Sequence, residues 1–133
     1  MIRDFMLDTN TASQFMRGRL PALTRRMTEE EDNVCISIIT KAEILNGVAL
    51  RPEAHRLGEM VDLFLADTYI AEWSHPEATV YGKLRAHLQR NGIGFGLLDL
   101  MIAAHALAAG CTLVTADKAF AMVPNLKTVN WEA

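Results

Sequence analysis

The apolar positions of this chain fall into short runs that alternate with longer, helically spaced segments. Phe5-Met6-Leu7 is closed by Asp8, and Asp4–Asp8 reads as a short first strand. Thr11–Gly18 predicts a brief helix ended by Gly18. Pro21, tolerated in a first helical turn, opens a second helix to about Thr28, before the polar stretch Glu29–Asn33. Val34–Ile38 is a continuous run of strand-forming residues, as expected of a strand buried on both faces. Thr40 is expected to start the next helix, because Thr40-Lys41-Ala42-Glu43 matches a capping box, and Gly47 and Pro52 break or bend the chain beyond it. His55–Ala66 places Leu57, Met60, Val61, Phe64 and Leu65 at helical spacing. Thr68–Glu72 reads as a short strand, Pro76 to about Arg90 as a long helix, and Asn91 to Gly96 as a turn. Leu98–Ala109 is an Ala-rich helix capped by Gly110, and Thr112–Val114 and Leu126–Val129 read as the last strands.

Strands that alternate with helices predict an α/β fold: a three-layer α/β/α sandwich around a central, mostly parallel sheet. The 133 residues contain no repeat and no Pro-, Gly- or Ser-rich linker, so one domain over 1–133 is expected. Ligands of such sheets bind beyond the carboxyl ends of the strands.

Composition narrows the field. Half the residues are hydrophobic, enough for a substantial core, and thirteen basic against sixteen acidic residues give a formal net charge of −3. A general nucleic-acid binder is usually strongly basic, so any nucleic acid here needs a local basic rim or a bound metal. Cys35 and Cys111 lie in apolar runs and read as reduced core thiols, without zinc-site spacing. The start of the chain does not fit a signal peptide. The longest apolar stretch, Met101–Ala109, is interrupted by His105 and is much shorter than the ~18 residues of a membrane span, so a cytoplasmic location is expected.

The candidate chemistry is carried by four acids at or just after apolar segments: Asp8, Glu43, Asp99 and Asp117. Each has a structural reading. Asp8 can cap the first helix, although Asn10 offers a cap as well and would leave Asp8 for a ligand role. Glu43 fits the capping box, and Gly47 one turn on would allow close approach to that helix. Asp99 suits the dipole at a helix N-terminus, but its neighbours Leu97, Leu98, Leu100, Met101 and Ile102 make it a costly place for an unpaired charge. Asp117 suits a turn. Taken together they suggest a shared pocket, where crowded carboxylates repel one another and a hard cation, Mg²⁺ or Mn²⁺, offsets the repulsion.

Four blocks carry a family resemblance: Phe5-Met6-Leu7-Asp8-Thr9-Asn10, Ile39-Thr40-Lys41-Ala42-Glu43-Ile44 with Gly47, Asp99 through Leu107, and Leu113-Val114-Thr115-Ala116-Asp117. They resemble the signature of PIN-domain proteins, above all the VapC-type toxins of bacterial toxin–antitoxin pairs, and the match runs on to Val129-Asn130-Trp131. The resemblance implies a PIN-like fold and a Mg²⁺- or Mn²⁺-dependent endoribonuclease. Asp8, Glu43, Asp99 and Asp117 would surround the metal, with Asp8 and Asp99 as direct ligands and Thr115 assisting. It also implies an RNA substrate, a small VapB-like antitoxin partner and a homodimer. One departure is Gly94-Phe95-Gly96, where many relatives carry a proline-isoleucine-glycine type of loop.

Other features are weaker. Gly92 through Gly96 lacks the G-x-G-x-x-G spacing and follows a helix. His55, His75, His87 and His105 show no ligand spacing, and His105 reads as a core or interface residue. Trp73 and Trp131 are expected to pack. Arg17, Arg19, Arg25 and Arg26 form a solvated face or a phosphate-contacting rim. Two competing readings stand beside the nuclease: a receiver-like signalling domain, and a catalytically inert PIN-fold binding module.

Overall fold

The computed structural model describes residues 3–133; Met1 and Ile2, counted in the expected 1–133 domain, lie outside the described residues. Five strands form one sheet: β1 (Phe5–Leu7), β2 (Val34–Ser37), β3 (Tyr69–Ala71), β4 (Thr112–Val114) and β5 (Thr128–Val129). Their order is β3-β2-β1-β4-β5, and every pairing is parallel. The helices are α1 (Thr9–Arg17), α2 (Pro21–Glu29), α3 (Ile38–Ala49), α4 (His55–Asp67), α5 (His75–Arg90) and α6 (Leu97–Ala109). Short 3-10 turns at Glu31–Asn33 and Lys118–Met122 complete the order.

The pleat sorts the core. Successive strand residues point to opposite faces. Met6, Cys35 and Leu113 therefore meet Leu84 and Leu88 of α5 and the Ile102–Ala106 stretch of α6 on one side. Leu7, Val34, Ile36 and Val114 meet Leu23, Ile44, Val61 and Phe64 on the other, together with Trp131. The predicted sandwich is thus observed, with the sheet parallel throughout. Small residues along α6 permit its close packing between α5 and the sheet. Gly18 and Gly110 end α1 and α6 in the left-handed conformation, at φ 66° and 71°, which glycine adopts without a Cβ penalty.

Several boundaries differ from the sequence reading, for local reasons. Helix α3 begins at Ile38, because Ser37 caps it by accepting the Ile39 N–H at 3.0 Å. Thr40 is therefore inside the helix, and the expected Thr40–Glu43 capping box does not form. A capping box stands instead at the start of α5, where buried Glu77 accepts from the Ser74 N–H at 2.7 Å. Gly47 does not break α3, and a Cβ added there meets open space rather than a close neighbour in the chain. The third and fifth strands are shorter than read, and α1 starts two residues earlier, at Thr9.

The two cysteines, distant in sequence, share one face of the sheet and are free and buried. A hydrogen bond with Cys111, and then burial, pushes the Cys35 thiol far above its usual range, so it remains an uncharged core group. His105 is a core residue. Its Nδ1 lies 2.7 Å from Ser37 Oγ, and the edge of Trp73 packs on its ring with centroids 5.6 Å apart. Trp131 packs on Phe5 with centroids 4.8 Å apart.

His105 generates a prediction. Burial holds it below its ordinary value of 6.5, against smaller opposing effects of Glu77 and of a hydrogen bond to the Glu72 backbone. Below that pH the unfolded chain takes up a proton that the folded chain refuses, so this contribution is present above pH ~6.5 and fades as pH falls. The urea midpoint should therefore drop between pH 7.5 and 5.5, and His105→Gln should flatten the drop. Identical slopes in the two proteins would contradict it.

Candidate functional site

In the order β3-β2-β1-β4-β5, connections run outward on both sides of β1, so the ends of β1 and β4 open a crevice at a topological switch point. Asp8 follows β1 directly and is almost wholly buried, at 3% exposure. It does both jobs that the sequence left open. Oδ1 accepts the Thr11 N–H at 2.8 Å and caps α1, so Asn10 is not needed as the cap. Oδ2 accepts the Thr115 hydroxyl at 2.6 Å. Thr115, one residue past β4, receives the Asp117 N–H on its own Oγ1 at 3.0 Å. Asp117 in turn caps the Lys118–Met122 turn by accepting the Ala119 N–H at 2.9 Å. A continuous hydrogen-bonded chain thus ties Asp8, Thr115 and Asp117 across the two strand ends.

Glu43 approaches from α3. Its Oε1 accepts the Thr9 hydroxyl at 2.6 Å, and Thr9 also stands 3.2 Å from the Thr40 hydroxyl. Thr9 is a site residue that the sequence reading missed, because its partners lie 31 and 34 residues away and no local pattern announces them. Asp99, in the first turn of α6, is half-buried. Its carboxyl is pushed above the usual carboxylate value, first by burial and then by the charges of Glu43, Asp8 and Asp117. All four acids therefore share one electrostatic neighbourhood.

They do not form a tight cage. Among the described residues no group of three or more His, Cys, Asp or Glu side chains is arranged to hold one metal ion. The donor set is nevertheless all oxygen, and burial together with the charges of the other three holds the Asp99 carboxyl above the usual value. That chemistry fits Mg²⁺ or Mn²⁺, since Mg²⁺ takes only one or two carboxylates directly and keeps several waters.

A polar cleft of about 370 Å³ opens beside Asp8 and Asp117. Asn10, Ser13, Gln14 and Arg17 of α1 line it as well, together with Ala116 and Glu132. Glu132 was also missed, because it lies beyond the last strand in a segment without periodicity. Glu43 and Asp99 do not line this cleft. A larger cavity of about 630 Å³ lies between α1, α2 and α4 and contains none of the four acids, so size does not mark the chemistry here.

The strand order also removes the receiver-like reading, whose sheets run 2-1-3-4-5. Among the described residues no helix is long and apolar enough to cross a membrane.

Comparison with known proteins agrees with the geometry. The PIN domain family matches residues 5–126. Ribonuclease VapC2 of Rickettsia felis is 32% identical over 131 residues, covering 96% of this chain and 98% of that protein. The tRNA(fMet)-specific endonuclease VapC of Shigella flexneri is 30% identical, covering 96% and 97%. The crystal structure of VapBC2 from Rickettsia felis bound to a promoter DNA fragment superposes with a TM-score of 0.89 at 33% identity, over 98% of this chain and 99% of that one. With the crevice, the threonine-linked aspartates and full-length likeness in agreement, this chain belongs to the PIN-domain family, among its VapC-type members.

Proposed function

We propose that this chain is a divalent-metal-dependent endoribonuclease, the toxin of a toxin–antitoxin pair, with Asp8, Glu43, Asp99 and Asp117 as its acidic site and Thr115 as an assisting group. The observation that carries the reading is the Asp8–Thr115–Asp117 chain at the switch point, beside an Asp99 whose carboxyl is raised first by burial and then by the charges of Glu43, Asp8 and Asp117. Asp8 and Asp99 would hold Mg²⁺ or Mn²⁺ directly, and Glu43 and Asp117 would hold its waters. Such an ion, when bound, acidifies a water and neutralises charge on the phosphate.

The chain's own groups supply the rest. Thr115 donates to Asp8 Oδ2 and fixes the rotamer of that carboxylate, so its remaining lone pairs face the crevice in one orientation. Thr9 fixes Glu43 through Oε1 and leaves Oε2 to take a proton from the attacking water. That water's oxygen forms the new bond to phosphorus as the bond to one ribose oxygen breaks, and the departing ribose oxygen takes up a proton from solvent. The name of the Shigella relative makes transfer RNA the first substrate to test.

A VapB-like antitoxin belongs to the same reading, since VapBC structures are among those this chain resembles. The 630 Å³ cavity suits an amphipathic helix of such a partner: Phe15, Met16, Met27, Met60 and Leu63 line it together with the charged Glu31, Arg56, Glu59 and Asp67, and Leu63 remains 69% exposed. Exposed Leu45, Leu97, Leu98 and Met122 leave apolar surface for the homodimer.

Substitutions test each half of this reading. Asp8→Asn and Asp99→Asn should each abolish Mg²⁺-dependent cleavage of purified transfer RNA. Asparagine caps a helix about as well as aspartate, so Asp8→Asn should stay folded in thermal melting. Folded variants that cleave at the wild-type rate would sink the assignment. Leu63→Asp should still cleave RNA in vitro but should weaken binding of the antitoxin encoded beside this chain at least tenfold in calorimetry. Unchanged affinity would remove the groove from the reading.

A further inference from the structure

The four arginines near the first two helices part ways in the structure. Arg26 is committed to packing: its guanidinium lies 5.0 Å over the Trp131 ring and 4.0 Å from Glu29. Arg19 and Arg25 are exposed and line neither cavity. Arg17 differs. It lines the cleft that contains Asp8, Asp117 and Glu132, yet among the described residues it forms no ion pair with any of these carboxylates.

Its placement on α1 is specific. Asn10, Gln14 and Arg17 stand at i, i+4 and i+7, which puts them on one helix face, and all three line the cleft. Arg17 is nine positions beyond the Asp8 cap (17 − 8), or about 13.5 Å along the axis at ~1.5 Å per residue. Helical side chains lean back toward the N-terminus, which shortens the gap without closing it. The group that Arg17 meets is therefore a neighbour, along the same cleft, of the group that Asp8 meets.

A polyanion entering this cleft faces carboxylates on a chain of net charge −3. A metal offsets them only where it binds. A strand that continues past that point needs another positive group, and the unpaired guanidinium supplies one in the planar, forked form that suits phosphate. The neutral amides of Asn10 and Gln14 between them offer donors and acceptors to ribose hydroxyls without adding repulsion.

We propose that Arg17 grips the RNA backbone phosphate flanking the scissile one, with Asn10 and Gln14 holding the intervening ribose. This rests on the ribonuclease reading above and extends it to how the strand is threaded. Arg17 binds and positions the strand, and takes no part in the bond changes.

The test uses fluorescence anisotropy with a fluorescein-labelled single-stranded RNA, in an Asp99→Asn background that prevents turnover, over a NaCl series. One lost phosphate contact on single-stranded nucleic acid should lower the slope of log K against log [salt] by about 0.7 and weaken binding about tenfold at low salt. Arg17→Ala should show both changes, and Arg17→Lys, which keeps the charge, should recover most of the slope. In the otherwise wild-type chain, Arg17→Ala should raise KM about tenfold and leave kcat within about threefold. Equal affinity and slope in Arg17→Ala, with cleavage intact in the parent, overturn the proposal alone. The same result with weakened antitoxin binding also overturns it and assigns Arg17 to the protein partner. A wild-type chain that neither binds nor cleaves RNA removes the ribonuclease reading, and this proposal with it.

Discussion

The Asp8 carboxylate joins three elements at one point. It closes β1, caps α1 through Thr11 and receives the Thr115 hydroxyl from beyond β4. A buried charge without hydrogen bonds is costly, and hydrogen bonds to charged groups contribute about 1.5–3 kcal/mol each. Two such bonds make this near-complete burial tolerable while leaving lone pairs toward the crevice. Backbone bonds from Asp8 N to Val114 O at 3.1 Å and from Thr115 N to Val129 O at 2.9 Å hold the same corner from below. The alignment of β1, β4 and β5 and the position of α1 all converge on this residue.

Helix α1 consequently has two roles. Its polar side walls the cleft beside Asp8 and Asp117. Phe15 and Met16, on its other side, line the larger, mainly apolar cavity shared with α2 and α4. The nine residues of α1 thus line a polar cleft on one side and a largely apolar cavity on the other. The opposite side of the sheet, under α5 and α6, is a packed layer in which the polar exceptions are satisfied. Ser37 and His105 bond to each other, and Glu77 caps its own helix.

Much of the fold was legible because the strands are largely apolar and are bounded by polar residues. Asp8 and Asp117 stood out for that reason, and both flank the crevice. The start of α3 was misread because Ser37-Ile38-Ile39 continues a strand-like run; only the Ser37 cap, itself tied to His105 68 residues away, turns the chain. Glu43 was assigned a local partner, Thr40, when its partner is Thr9 on another element. Thr9 was passed over beside Asp8 because its partners Thr40 and Glu43 lie 31 and 34 residues away, and Glu132 because it follows the last strand in a segment without periodicity. The split among the arginines was equally hidden, since sequence shows a cluster whereas the structure gives Arg26 an indole and Arg17 a cleft.

The scarcity of ion pairs has its own consequence. Among the described residues the one pair is Arg26 with Glu29, at 4.0 Å and largely solvated. Exposed pairs of this kind contribute roughly 0–1 kcal/mol and are weakened further by screening. Cohesion therefore comes from apolar packing and short polar bonds, neither of which depends on the charge screening that weakens ion pairs. Ionic strength is therefore expected to change what the surface attracts far more than it changes the scaffold.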